Sequence, residues 1–476
     1  MFLNVNLNVV MFMKGKKVFR LSNRAYIFSA LAVVFAVAVI FVSLLFVEKA
    51  QTDVFYSPVS HGAIILSGGE DTGKIIPGKG ISCVRKSFSA DSSAVLMADG
   101  STYTLYHVQD GDFVKLNANC TGEFICSADG KKVVYLNSDD VLFIDKTEIA
   151  DSVECFASSP DANAVVYVKR EENSQSLYLY MKGKSEKVGD GYMPVAVSSD
   201  GKNIYVLSSD NSFCILGADG TMKSKLGPSV LADSFVFSED LSVVIFSDGE
   251  YTYMSVDGKS RVRLFAGTGR PHTYMQESLR IDSTGNAEVM NSSLESAFYT
   301  SVNEKGNTLL YYVNEESAIK ELCSDVKSFS VTDDEIIAYL DTQGSVYSYN
   351  GTDAESVASG VDEFYATAKS RYIYYMTTAG DVYSLKNTNN QLLATGVYRF
   401  MLHSDDSLYI IMTDRKLYRI NGVRRGDVIA ENVNFCKSQH NVMYYGADFN
   451  PDTGTYSLYA SADGGEFNLI SEHIAK

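Results

Sequence analysis

The sequence predicts an all-β repeat protein carried behind one apolar helix. Three observations carry that reading: a charge-free apolar run over residues 26–47, a strand–turn–strand phrase restated from about residue 86 to 476, and the Asp-Gly and Asn-Gly dipeptides that punctuate it. The chain has 476 residues, 46% hydrophobic and 21% charged, which is too long for one small module and too apolar for a disordered chain. Pro is scarce at 7 and Trp is absent, excluding a Pro-rich linker or a collagen-like chain.

Residues 26–47 hold no charged side chain. At 1.5 Å per residue the run makes roughly 33 Å of helix, enough for a hydrocarbon core of about 30 Å. Lys14, Lys16, Lys17, Arg20 and Arg24 precede it without an acid among them, and Glu48, Lys49 and Asp53 follow. Basic flanks stay inside, so a single-pass signal anchor in the cytoplasmic membrane is expected. Residues 1–25 form its short cytoplasmic tail, and everything past about residue 48 lies outside. A cleaved signal peptide is the competing reading. Its apolar core is usually about 7–15 residues, and Glu48-Lys49-Ala50 lacks the small residues of a cleavage site.

Beyond the tail, 36 basic residues face 58 acidic ones, a net −22 for the expected external part. Such a surface repels anionic polymers, and nucleic acid is excluded as a partner because a phosphate backbone rewards clustered Lys and Arg.

The repeat is clearest in Phe124-Ile-Cys-Ser-Ala-Asp-Gly-Lys-Lys-Val-Val-Tyr-Leu136 and Val195-Ala-Val-Ser-Ser-Asp-Gly-Lys-Asn-Ile-Tyr-Val-Leu207. Looser copies open near Phe88, Phe156, Phe235, Phe329, Phe364, Phe400 and Phe435, and another surrounds 297–312. Within 194–226 four strands are expected at Pro194–Ser198, Asn203–Leu207, Ser212–Leu216 and Met222–Leu226. Asp200-Gly201 and Asp219-Gly220 join them as tight turns, for which a type I′ geometry with positive φ at both central residues is expected. Val, Ile and Tyr dominate between turns, and helical periodicity is lacking outside 26–47. Spacings of about 31 to 40 residues approach the roughly 40–45 of four-stranded blades. The expected architecture is therefore a β-propeller of about ten four-stranded units.

Ser-x-Asp-Gly-Lys followed by an apolar-Tyr strand resembles the TolB-type propeller repeat, close at 127–136 and 198–207 and degenerate elsewhere. Later copies such as Leu408-Tyr-Ile-Ile-Met412 are similar to Tyr-rich repeats of membrane-anchored bacterial propellers. The resemblance spans most of 86–476 and implies a fold, not a function. Five units precede residue 267 and five follow about 286; Gly267-Thr-Gly-Arg-Pro-His-Thr-Tyr-Met-Gln276 breaks the rhythm. Either one large ring carries an insertion there or two smaller arrays meet, and one assembly is favoured. Residues 48–85 form a juxtamembrane segment whose strands could close a ring.

Signals for chemistry are sparse. The seven Cys (83, 120, 126, 155, 214, 323 and 436) lack a Cys-x-x-Cys pair. They read chiefly as buried reduced thiols, with Cys120–Cys126 the best disulfide candidate. The six His are scattered, and neither Gly-x-Ser-x-Gly nor a phosphate loop occurs. No catalytic residue, cofactor or metal site is assigned. The candidate contact site is Arg261, Arg263, Arg270, His272, Tyr274 and Arg280, a basic and aromatic cluster within an acidic chain. The expected function is non-catalytic binding or scaffolding of a protein or cell-envelope glycan partner. The alternative is an extracellular carbohydrate-active enzyme with acidic residues at a channel mouth.

Overall fold

The computed structural model describes residues 52–475 apart from short loops and the segments 273–288 and 291–295; side chains within 264–320 and 329–337 are not described. The anchor expected at 26–47 lies outside the described residues. Every regular element among them is a strand. Nine sheets have four strands, one has five and one has three. In chain order they are sheet 1 (52–77, three strands), sheet 2 (80–117), sheet 3 (120–150), sheet 4 (153–190), sheet 5 (192–227) and sheet 6 (236–266). Sheet 7 (269–272 with 296–323), sheet 8 (326–358), sheet 9 (361–394), sheet 10 (397–430) and sheet 11 (433–474) follow. Ten of the eleven are thus built on a four-stranded antiparallel meander.

At the sequence break, two adjacent sheets exchange chain. Gly269–His272 opens sheet 7 by pairing with Ser296–Val302. The later pair Val289–Met290 turns back to lie parallel to Phe237-Ser238 as the fifth strand of sheet 6.

Sheet 5 shows why the repeat folds as it does. Its strands are Tyr192–Val197, Ile204–Ser208, Phe213–Leu216 and Met222–Gly227, within two residues of the expected bounds. The first turn differs from the expected type I′. Gly201 has φ 69°, but Asp200 is absent from the positive-φ residues. Asp200 works through its side chain instead. Its Oδ1 accepts from Ser198 Oγ at 2.8 Å and from Lys202 N at 3.0 Å, while Ser198 Oγ accepts from Asn203 N at 3.0 Å. Gly201 N closes the turn onto Ser198 O at 2.8 Å. The Ser-x-Asp-Gly-Lys signature is therefore an Asx-type turn with a left-handed glycine exit. The Lys202 ammonium and backbone amide, with the Ser198 hydroxyl, hold the Asp200 carboxyl well below the usual range. Ser127-Asp129-Gly130 repeats the pattern, and so does Ser159-Asp161-Ala162, where alanine takes the glycine position at φ 50°. Doubly positive turns do occur, at Asp110-Gly111, Lys182-Gly183 and Asp257-Gly258.

The core lies between sheets, not within any one of them. Second strands such as Ile204–Ser208 and Leu408–Met412 are buried on both faces, and each face joins a different cluster. Val206 packs toward sheet 4 with Val166 and Leu177, and Tyr205 toward sheet 6 with Val244 and Phe246. Comparable clusters join sheets 1 through 6 and sheets 8 through 11 in succession. Sheet 11 then packs back on sheet 1: Val442, Tyr444, Leu458 and Ile474 enclose Ile64 and Leu66. At that seam Tyr444 Oη donates to Asp53 Oδ2 at 2.7 Å, and Ala475 N donates to Tyr56 O at 3.1 Å.

A backbone bond sets the register between neighbouring sheets. Val153, Val230, Val361, Val397 and Val433 donate their amides to Asp140, Asn211, Gly344, Gly380 and Arg415 of the preceding sheet, at 2.8 to 2.9 Å. Each acceptor has positive φ, in the turn between second and third strands.

All seven cysteines are free. The disulfide considered for Cys120 and Cys126 is excluded because both lie on the strand Cys120–Cys126. Six extended residues separate them by roughly 20 Å, against the 4.4–6.8 Å between Cα atoms that a bridge requires.

Candidate functional site

Fourth strands such as Lys184–Asp190 and Arg424–Ala430 carry an exposed edge of their sheets. Outside sheet 6, whose first strand pairs with Val289–Met290, first strands form the opposite edge, and seven of them share a device. In seven sheets the ladder slips by one residue just after the strand opens, leaving Ser82, Glu154, Val195, Lys327, Asp362, Tyr398 and Asn434 outside the pairing. A bulge of this kind re-aims a side chain away from the pleat. Ser82, Glu154, Lys327, Asp362 and Tyr398 are exposed, so the first-strand edge presents a row of polar, charged and aromatic groups. The row is continuous between sheets 8 and 9, where Lys327 Nζ donates to Asp362 O at 2.7 Å and lies 3.3 Å from its Oδ1.

Sheets 9 to 11 hold its densest chemistry. Tyr365 Oη donates to Glu363 Oε1 at 2.6 Å. Burial, then this bond to a carboxylate, pushes the Tyr365 phenol far above its ordinary value. Burial also pushes the Cys436 thiol up to about 12, with Arg399 opposing the shift and Glu363 adding to it. The Cys155 thiol rises to about 11 through burial and the nearby Glu154 and Glu123. Both thiols stay protonated at neutral pH, so neither supplies a thiolate nucleophile. Desolvation pulls Lys437 below the usual lysine range, against the attraction of Asp53. His403, 2% exposed, is tied to Ser438 by a 2.7 Å bond from Nδ1. His107 Nε2 lies 2.7 Å from Gly130 O. Both imidazoles act as ties between neighbouring sheets.

The basic cluster read from sequence divides between two sheets. Arg261 and Arg263 sit together on the outer part of sheet 6, where they stack on aromatic rings of the neighbouring strand. The Arg261 guanidinium lies 3.9 Å from the Tyr253 centroid and that of Arg263 lies 4.6 Å from Tyr251. Arg270 and His272 belong to the first strand of sheet 7, and their side chains are not described. Tyr274 and Arg280 lie outside the described residues.

Sequence reasoning missed the pair formed by Tyr398 and Arg415. The Arg415 guanidinium lies 4.0 Å from the Tyr398 ring centroid and that of Arg399 lies 5.8 Å away. A signal was present. Thr342-Gln-Gly344-Ser-Val and Thr378-Ala-Gly380-Asp-Val set a frame in which Thr413-Asp-Arg415-Lys-Leu replaces glycine with arginine.

No protein-family model and no curated protein matches the chain. Among solved structures it is similar to the tricorn protease, at 10% identity and a TM-score of 0.31, covering 89% of this chain and 58% of that one. It is similar to TolB from Acinetobacter baumannii at 18% identity and a TM-score of 0.29, covering 46% of this chain and 64% of TolB. The GH74 enzyme of Niastella koreensis matches at 12% identity and a TM-score of 0.29, covering 89% and 93% of the two chains. The chain spans less than two thirds of the tricorn protease and TolB chains.

Proposed function

We propose that the protein is a non-catalytic binding or scaffolding protein, displayed outside the cytoplasmic membrane by an anchor at residues 26–47. In this reading the eleven sheets close into one ring at the seam between sheets 1 and 11, and the first-strand edges line its centre. The observation that carries it is the bulged row from Ser82 to Asn434, which offers recognition groups of both signs on a rigid scaffold. The chemistry beside the row supports recognition over reaction, because its thiols are held protonated and its histidines are engaged as ties between sheets. The partner is a protein or a glycan of the cell envelope.

A photocrosslinking residue placed in the anchored protein tests this in cells. Met193, 53% exposed on a first strand, is the test position, and Leu469, 49% exposed on a fourth strand, is the control. Reproducible capture of one partner at 193 and not at 469 is expected. Equal capture at both positions, or hydrolysis of envelope glycan by the purified chain, overturns the proposal.

A further inference from the structure

Sheet 10 departs from the electrostatics of the chain that carries it. Residues 397–430 hold six basic and four acidic side chains, a net +2 within a chain of −17. Tyr398, bulged out of the first strand, is 42% exposed. Arg415 approaches its ring to 4.0 Å and Arg399 to 5.8 Å. Arg415 is held in a left-handed conformation at φ 65°, in a turn position that is Gly344 in sheet 8 and Gly380 in sheet 9, and Asp140 and Asn211 in sheets 3 and 5. Its backbone is fixed on both sides: N donates to Met412 O and O accepts from Val433 N, each at 2.9 Å. The adjacent carboxylate is engaged elsewhere, since Asp414 pairs with Lys416 at 3.3 Å. Among the described residues neither Arg399 nor Arg415 forms an ion pair. The half-buried Arg415 side chain stacks on the exposed Tyr398 ring, and a non-glycine residue held in the left-handed region beside such a ring motivates reading a site there.

We propose that Arg399, Arg415 and Tyr398 form a subsite for an acidic saccharide. This deepens, and rests on, the recognition reading given above. Guanidinium forks match a carboxylate in plane and can bind it through paired hydrogen bonds. The exposed phenol ring offers an amphipathic surface to the sugar beside that carboxylate. Charge limits the length of the ligand. A long polyanion meets the acidic remainder of the chain, whereas screening within about 8 Å at physiological salt lets one short uronate unit sense sheet 10 alone.

The test titrates the full chain, in nanodiscs of neutral lipid, with trigalacturonate, with its methyl ester and with hexaglutamate. Trigalacturonate is expected to bind, and esterification to weaken it at least tenfold. Arg415→Gly, which suits the left-handed turn, and Arg399→Gln are each expected to weaken it at least tenfold with the melting temperature held. Absence of trigalacturonate binding overturns the proposal, as does binding that both variants leave unchanged. Equal or tighter binding of hexaglutamate overturns the saccharide assignment in favour of an acidic peptide. Capture of a partner through position 193 without trigalacturonate binding removes this subsite and leaves the scaffold reading standing.

Discussion

Tyr444→Phe removes one oxygen at the place where the last sheet meets the first. Tyr444 is fully buried and Asp53 is 1% exposed, and their 2.7 Å bond joins strands at opposite ends of the described chain. The Phe variant keeps the ring and its 5.1 Å contact with Phe55, so little cavity forms. What is lost is a donor to a buried acidic side chain. Hydrogen bonds to charged groups contribute about 1.5–3 kcal/mol, and an expected loss of about 2 kcal/mol follows. If opening of the seam limits exchange, about 2 kcal/mol corresponds to roughly thirtyfold faster amide exchange there. The assay is hydrogen exchange across the whole chain, read at Thr52–Ser57 and Asn468–Ile474, together with the urea midpoint. Asp53→Asn retains an acceptor for the phenol and is expected to cost less. Unchanged exchange at both strands in Tyr444→Phe, or acceleration spread evenly over all sheets, would refute the seam as a distinct closing element.

Two further perturbations probe the same construction. Gly220→Ala is expected to cost at least about 2 kcal/mol, because φ is 78° and the new Cβ would lie 2.0 Å from Val188 O; a loss below about 1 kcal/mol in urea unfolding would show that the turn yields. Alkaline pH is expected to unfold the protein in a stated window. Burial raises Tyr135, Tyr339 and Tyr445 from 10.0 to about 12. Below pH 10 both states keep these phenols neutral and stability is unaffected. Above it only the unfolded chain ionises, so stability falls by about 1.4 kcal/mol per pH unit per tyrosine until the folded values are reached. Urea midpoints from pH 9 to 11.5, with phenolate absorbance followed in parallel, check this; a flat profile would contradict the burial of these rings.

The repeat was legible because its turns and second strands are local. Ile204–Ser208 needs only an apolar run between turn residues, and Asp200 needs only Ser198 and Lys202 beside it. The turn type was not legible, because Asx hydrogen bonding and a left-handed glycine exit call on the same Asp-Gly dipeptide as type I′ does. The site was harder to read for a different reason. Lys327 meets Asp362, and Tyr398 meets Arg415, only after bulges and inter-sheet register are set. Conversely, the basic residues from 261 to 272 are close in sequence, yet the chain divides them between sheets 6 and 7.

A repeat protein also shows where its own rule is broken, and the breaks differ in kind. Ala162 occupies a left-handed position that is Gly130 and Gly201 in sister turns, at a cost of about 1 kcal/mol. Its methyl group is 2% exposed and packs in the cluster shared by sheets 3 and 4 with Val134 and Val165, so burial offsets the strain. Arg415 carries a comparable backbone strain, and its side chain is only half-buried. Its guanidinium reaches the ring of Tyr398, which is itself 42% exposed, and a cation–π contact at such a site contributes about 0.5–1 kcal/mol before side-chain ordering is counted. Packing thus explains the first departure more fully than the second. Natural sequences set local rules aside most often where a site is built. That contrast, more than the number of basic residues in any stretch, directs attention to the first-strand edge of sheet 10.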